Sequence, residues 1–364
     1  MSSGMLEELE TPIPVVDLDI MERNMDRMAR YTLKHSLNLR PHTKTHKSPW
    51  IAAEQVKRGA IGVTCATPRE AEAMSTVTAD ILLGFPAIGE RKARRIASIP
   101  KNVDVTVALD SETALMDLAQ AARKADRAIG VYVELDLGMH RVGISSAEQA
   151  AELAMLVTQT RPLEYAGIAF YPGHIRSSVG DQGHSIEMLS TSLEDALEVM
   201  DSFGVRHPVV SGGSTPTVWR SHEIRGMTEI RPGTYVFNDR TTAIIGACDW
   251  ADCALTVLAT VISTAVEGQA VIDAGTKSLG REPIRGTPGE GFGSLLEHPE
   301  VTVRGMSEEH GILELKDSDW KPEVGERVRV IPNHVCIVVH LFDELVGMRG
   351  TTIEKRWPVA ARGR

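Results

Sequence analysis

Eight short runs rich in β-branched and aromatic residues recur along the first two thirds of the chain, separated by helical patterns. The spacing predicts strands near residues 37–44, 61–67, 80–86, 103–110, 129–136, 165–171, 207–213 and 229–236. Between them, segments 18–34, 111–125, 146–160 and 185–203 place apolar residues three and four apart, the period of an amphipathic helix. Asp19 and Ser146 stand where helix N-caps belong. Strand and helix alternating eight times fits a (β/α)8 barrel; a doubly wound open sheet is the alternative.

After about residue 245 the pattern changes. Runs 253–266, 268–275, 326–334 and 336–342 are strand-like, and long Gly-rich connections such as 279–294 intervene. This predicts a mainly β second domain. The expected organisation is an α/β barrel over residues 12–244, followed by a C-terminal mainly β domain over 245–364 that also takes residues 1–11. The stretch IPVVDLD (13–19) precedes the first helix and is assigned to the barrel.

Within 364 residues of net charge −10, the segment RPHTKTHK (40–47) is an exception. Arg40, His42, Lys44 and His46 fall on every second residue, so on a strand they share one face. At the end of the first barrel strand, that face meets the mouth where such barrels place their active sites. A solvated basic loop is the alternative. The acidic balance elsewhere argues against a nucleic-acid partner. Cys65, Cys248, Cys253 and Cys336 are too few for a disulfide framework, and no C-x-x-C pair occurs. The N-terminus lacks the basic start and apolar core of a signal peptide. No apolar run approaches the roughly 20 residues of a membrane span. A cytoplasmic setting is expected, without a membrane partner.

Other segments reach the same mouth. SGGSTPT (211–217) follows the seventh strand, where Gly212, Gly213, Ser214 and Thr215 can bring backbone N–H groups to an anion; an ordinary turn is the alternative. RPGTY (231–235), with Tyr235, lies at the eighth strand, and loops seven and eight are the usual phosphate site of these barrels. GMHRVG (138–143) offers Arg141. In the second domain, His334 and Cys336 of PNHVC are two apart, so on a strand they face one way as a soft pair suited to Zn²⁺. A buried Cys beside a strand-end His is the alternative. A phosphate cradle, a lysine and a barrel mouth suggest pyridoxal phosphate. Lys44 and Lys47 are both possible anchors, but only Lys44 fits the alternation, and its cationic neighbours would favour the neutral amine. A phosphorylated-sugar enzyme and a non-catalytic cofactor carrier are the competing classes.

These motifs, with TPIPVVDLDIMERNM (11–25), CATPREAEAM (65–74), DAGTKS (273–278) and SEEHG (307–311), occur in one order over nearly the whole chain. In that order the chain resembles the D-threonine aldolase and D-serine dehydratase family of alanine-racemase-like fold. The resemblance implies a pyridoxal-phosphate lyase acting on β-hydroxy-D-amino acids, working as a homodimer. It implies D-threonine aldolase chemistry first, with D-serine or 3-hydroxyaspartate dehydration as the alternative and racemisation behind both. It implies that Lys44 is the Schiff-base lysine and that Arg141 lies near the pyridine nitrogen. His42, Tyr171 and Tyr235 would lie near the cofactor, with Gly212, Gly213, Ser214 and Thr215 around its phosphate. His334 and Cys336 would bind a divalent metal, Zn or Mn. At FYPGHIRS (170–177) the chain departs from the aldolase pattern; His174 is the nearest candidate base, and His184 the alternative.

Overall fold

Prolines at two neighbouring strand ends shape the first of two compact units. The computed structural model describes residues 6–86, 88–284 and 291–363. One unit comprises Arg27–Gly233 with the last residues of the chain, and the other takes the N-terminal residues to Asp26 and Thr234–Ala360.

The first unit is an eight-stranded parallel sheet. In chain order, after β1 (Ile13–Asp17) of the other unit, its strands are β2 (Asn38–Leu39), β3 (Val63–Cys65), β4 (Asp80–Leu83), β5 (Asp104–Leu109), β6 (Ile129–Leu135), β7 (Leu163–Phe170), β8 (Val210–Gly212) and β9 (Glu229–Ile230). The order across the sheet is β2-β9-β8-β7-β6-β5-β4-β3. A parallel bridge between His42 and Thr64, and the Thr64 N–H donating to the Pro41 carbonyl at 2.8 Å, join the two ends into a barrel. Leu82, Ala108, Tyr132 and Ala169, one from each of β4 to β7, form a buried cluster. Residues two apart on these strands share a face, which alternates with the helix-packed face. Ser146 caps its helix as expected, accepting the Gln149 N–H at 3.2 Å.

The strands predicted over 37–44 and 229–236 are shorter than their patterns. Pro41 and Pro232 cannot donate to the ladder, so pairing stops just before each. The chain runs extended to His42, then turns through short 3-10 helices at Thr43–Thr45 and Thr234–Val236.

The second unit is a nine-stranded, mainly antiparallel sheet that includes β1 and eight C-terminal strands. IPVVDLD does not join the barrel: β1 pairs with Leu255–Ser263 antiparallel and with Glu344–Arg349 parallel. The unit also claims residues from Thr234 rather than 245, because Ala254 N donates to the Phe237 carbonyl and Asn238 Nδ2 to that of Asp252. Asp17, not Asp19, caps the first helix, accepting the Ile20 N–H at 3.0 Å. CIVVHLF is a helix, Val335–Leu341, with Val335, Val338 and Val339 buried at three- and four-residue spacing. A short apolar run does not distinguish helix from strand by hydrophobicity alone.

Candidate active site

The barrel strands end in the groups that the sequence singled out, but the basic alternation does not survive folding. Arg40 is buried and turned to the start of β4: Nη1 and Nη2 donate to Asp80 at 2.6 and 3.0 Å, and Nε to Glu229 at 2.8 Å. His42 Nδ1 accepts the Lys44 N–H at 3.4 Å, and burial, with Lys44 and Arg231 nearby, holds its imidazole well below the ordinary range. His46 is enclosed, accepts the Ser48 N–H at 3.1 Å, and burial takes it down to about 3. Both histidines are therefore neutral near pH 7. Of the three expected cations around Lys44, two are uncharged, and the third, Arg40, is committed to two carboxylates.

The two lysines differ sharply. Lys47 Nζ donates to Glu70 at 2.5 Å in a pair with side-chain exposures of 9% and 0%. Glu70 also accepts the Ala66 N–H at 2.6 Å, so Lys47 has a structural role beyond that of an ordinary surface lysine. Among the described residues Lys44 Nζ has no carboxylate partner and lies 5.8 Å from the centre of the Tyr171 ring. Arg141 stacks over that ring at 4.8 Å. A Cβ on Gly173 would lie 2.1 Å from Tyr171 Cε1, so the glycine permits the ring to fold back over its own loop.

His174, three residues on, is exposed, and its ring lies 3.3 Å from where a Gly138 Cβ would be. Partial burial lowers its pKa, which Asp136 only partly offsets. His184 is exposed in the first turn of the helix Gly183–Ser202.

At the end of β8, Gly212 packs so close to Phe170 that a Cβ would sit 2.3 Å from its ring. Gly213 has φ +83°, a conformation that favours glycine. Ser214 and Thr215 are buried, and Ser214 Oγ lies 3.0 Å from Thr217 Oγ1. Arg231 lies beside this turn: Nη1 donates to Ser211 Oγ at 2.5 Å and Nη2 to the Phe170 carbonyl at 2.9 Å. Ser211 Oγ donates to Glu229 at 2.5 Å, continuing the network to Arg40. A free lysine, an arginine-capped tyrosine ring and a small-residue turn together suit a phosphorylated aromatic aldehyde.

The second unit holds Tyr235, buried in its 3-10 turn, and the His334–Cys336 pair. The pair is not on a strand. His334 is extended and precedes the helix that contains Cys336. Burial disfavours the His334 cation, but the neighbouring Cys336 and Asp239 outweigh it and raise the imidazole. His334 Nδ1 lies 3.2 Å from Asp239 Oδ2. That contact orients the ring, so Nε2 is the nitrogen that would face a bound metal. Among the described residues no three His, Cys, Asp or Glu are grouped to hold a metal ion, and His334 and Cys336 are two candidate donors. Two soft donors fit a divalent ion that keeps open positions. Sequence patterning missed Asp239, 95 residues from its partner.

The alanine racemase N-terminal domain model matches residues 16–241, and that of a putative serine dehydratase domain matches residues 254–348. The D-threo-3-hydroxyaspartate dehydratase of Delftia sp. (strain HT23) is 33% identical over 354 residues, covering 90% of this chain and 91% of its own. The 3-hydroxy-D-aspartate aldolase of Paracoccus denitrificans (strain Pd 1222) is 30% identical over 370 residues, covering 98% and 93%. The solved D-threonine aldolase of Filomicrobium marinum matches with a TM-score of 0.91 at 29% identity, covering 100% and 98%. A D-threo-3-hydroxyaspartate dehydratase solved as a cysteine-to-alanine mutant, in a form named metal-free, matches at 0.87 and 30%, covering 99% and 100%. No described helix is long and apolar enough to cross a membrane.

Proposed function

The chain belongs to the family of the alanine racemase N-terminal domain, and we propose that it is a lyase dependent on pyridoxal phosphate and a divalent metal, splitting β-hydroxy-D-amino acids into glycine and an aldehyde. The contrast between Lys44 and Lys47 carries this reading. Of these two, Lys44 alone has an amine uncommitted to a carboxylate among the described residues, so it is the one available to hold an aldehyde covalently. The turn from Gly212 to Thr215 would hold the phosphate, and His42, Arg141, Tyr171 and Tyr235 would border the ring. His334 and Cys336 would hold Zn or Mn. When bound, pyridoxal phosphate supplies an electron sink for charge at Cα, and the metal acidifies the β-hydroxyl.

His174 has the remaining task of taking the β-hydroxyl proton as the Cα–Cβ bond breaks. Its lowered pKa keeps it neutral and able to accept through the neutral range. Activity should therefore hold as the pH falls below the 6.5 of an ordinary histidine and be lost as His174 protonates through its lower pKa. His174→Ala should cost about 100- to 10,000-fold and remove this acid limb. An unchanged pH–rate profile in the variant would assign the proton to another group.

Dehydration is the second reading, favoured by the 33% identity to the Delftia dehydratase. There Lys44 would take the Cα proton, and hydroxide would leave Cβ. A product assay with D-threonine and D-serine separates the two: glycine and an aldehyde mark cleavage, a 2-oxo acid and ammonia mark dehydration. Chelation by EDTA should lower turnover at least about tenfold, with recovery on adding Mn²⁺ or Zn²⁺. Full activity after exhaustive chelation would remove the metal from the reading.

A further inference from the structure

Beyond their last ladder pair, Ala169 with Ser211, β7 and β8 lead into two loops. One, residues 171–177, carries Tyr171 and His174; the other, 212–217, is the small-residue turn. Two side chains bridge them. Arg231 joins the near ends, donating to the Phe170 carbonyl and to Ser211 Oγ. Gln182 joins the far ends: Nε2 donates to the Ser177 carbonyl and to the Pro216 carbonyl, each at 3.0 Å.

Gln182 is 0% exposed and firmly seated, since the Ile186 N–H donates to its carbonyl at 2.9 Å as the helix Gly183–Ser202 begins. Both bridged atoms are carbonyl oxygens, which only accept, so the amide nitrogen must face them. The other amide atom, Oε1, is enclosed without a hydrogen-bond partner. A buried acceptor left unmatched is costly, and a methionine of similar volume would avoid that cost. Filling space therefore does not account for an amide here; its two N–H groups do. The loop between the bridges is short and internally tied. The Ile175 N–H donates to the Pro172 carbonyl at 3.2 Å, Arg176 Nε donates to that of Gly173 at 2.6 Å, and Ile175 is buried. A shift at Ser177 is thus passed to His174, whose charged neighbours are Asp136, His140 and Arg176.

We propose that Gln182 is a positioning residue: with Arg231 it clamps the loop that carries His174 to the phosphate turn, so that filling the turn fixes the place of His174. The role rests on the reading that the turn takes the phosphate of the cofactor and that His174 takes the substrate proton. A displacement of about 1 Å at a reacting group costs on the order of 100-fold in rate, so a brace outside the site can govern turnover without touching substrate.

The test compares wild type with Gln182→Met, which fills the volume without a donor. In the full chain freed of cofactor, amide hydrogen exchange is followed with and without inorganic phosphate, which fills the turn alone. Phosphate should slow exchange about threefold or more in residues 212–217 and in residues 171–177 of wild type; in Gln182→Met the slowing should be confined to 212–217. In the loaded enzyme the variant's kcat should fall about tenfold or more, with KM within about threefold. Its acid limb should also move up toward the ordinary 6.5, because a released His174 loses the partial burial that lowers it. Should the methionine variant fold poorly, Gln182→Asn keeps an amide too short to reach both carbonyls and gives the same comparison. Slowing of the loop in the variant, or none in a wild type whose turn is slowed, overturns the proposal; so does a variant with the wild-type kcat and acid limb. Phosphate that slows neither segment of the wild type would refute the phosphate reading on which the proposal rests, a separate result.

Discussion

Lys44→Ala is expected to abolish turnover, with a loss on the order of 10,000-fold or more, as for removal of other covalent catalytic groups. It should also lose the visible absorption of the loaded protein and the pyridoxyl label left by borohydride. Lys47→Ala makes the control informative. Lys47 neutralises the fully buried Glu70, so its loss should destabilise the fold, yet any folded fraction should still take the label at Lys44. A label mapped to position 47 of the wild type would sink the assignment. Size alone does not separate the two residues, since both are lysines within one short segment. The carboxylate partner does.

Arg40→Leu should be among the most destabilising single changes in the barrel. The guanidinium neutralises Asp80 and Glu229 together, and the Glu229 side chain is fully enclosed. Breaking a buried pair from one side costs about 3–5 kcal/mol, because the remaining charge stays buried without its counter-ion. For a chain of this size that lowers the melting temperature by roughly 4–7 °C. Thermal and urea unfolding measure it. A variant that melts within a degree or two of wild type would mean that the network relaxes around the loss. The consequence extends to the site, since Glu229 also takes the hydrogen bond of Ser211, to which Arg231 donates.

The architecture was legible because its signal is redundant. Eight strand–helix alternations survive the shortening of two strands, and the family resemblance places the motifs in the same order. Side-chain destinations were less legible. The alternation in RPHTKTHK correctly drew attention to the segment but assumed a strand through Lys44. Pro41 ends the ladder, and the turn at Thr43–Thr45 sends Lys44 and Lys47 to different environments. His334 and Cys336 do meet, though not by the strand geometry that suggested them, because the extended His334 leads directly into the helix.

One carboxylate joins several of these facts. Asp239 Oδ1 accepts the Thr242 N–H at 2.9 Å and caps the helix Arg240–Ile244. Its Oδ2 accepts the Val335 N–H at 3.3 Å, at the start of the helix Val335–Leu341, and contacts His334. A single side chain thus starts two helices and aims an imidazole. Such a position has almost no neutral neighbours in sequence space. Asparagine retains one acceptor where two are used, and glutamate moves both. The pair His334 and Cys336 therefore depends on a residue that its own spacing does not reveal, and one change at Asp239 would disturb two helix starts and the imidazole together.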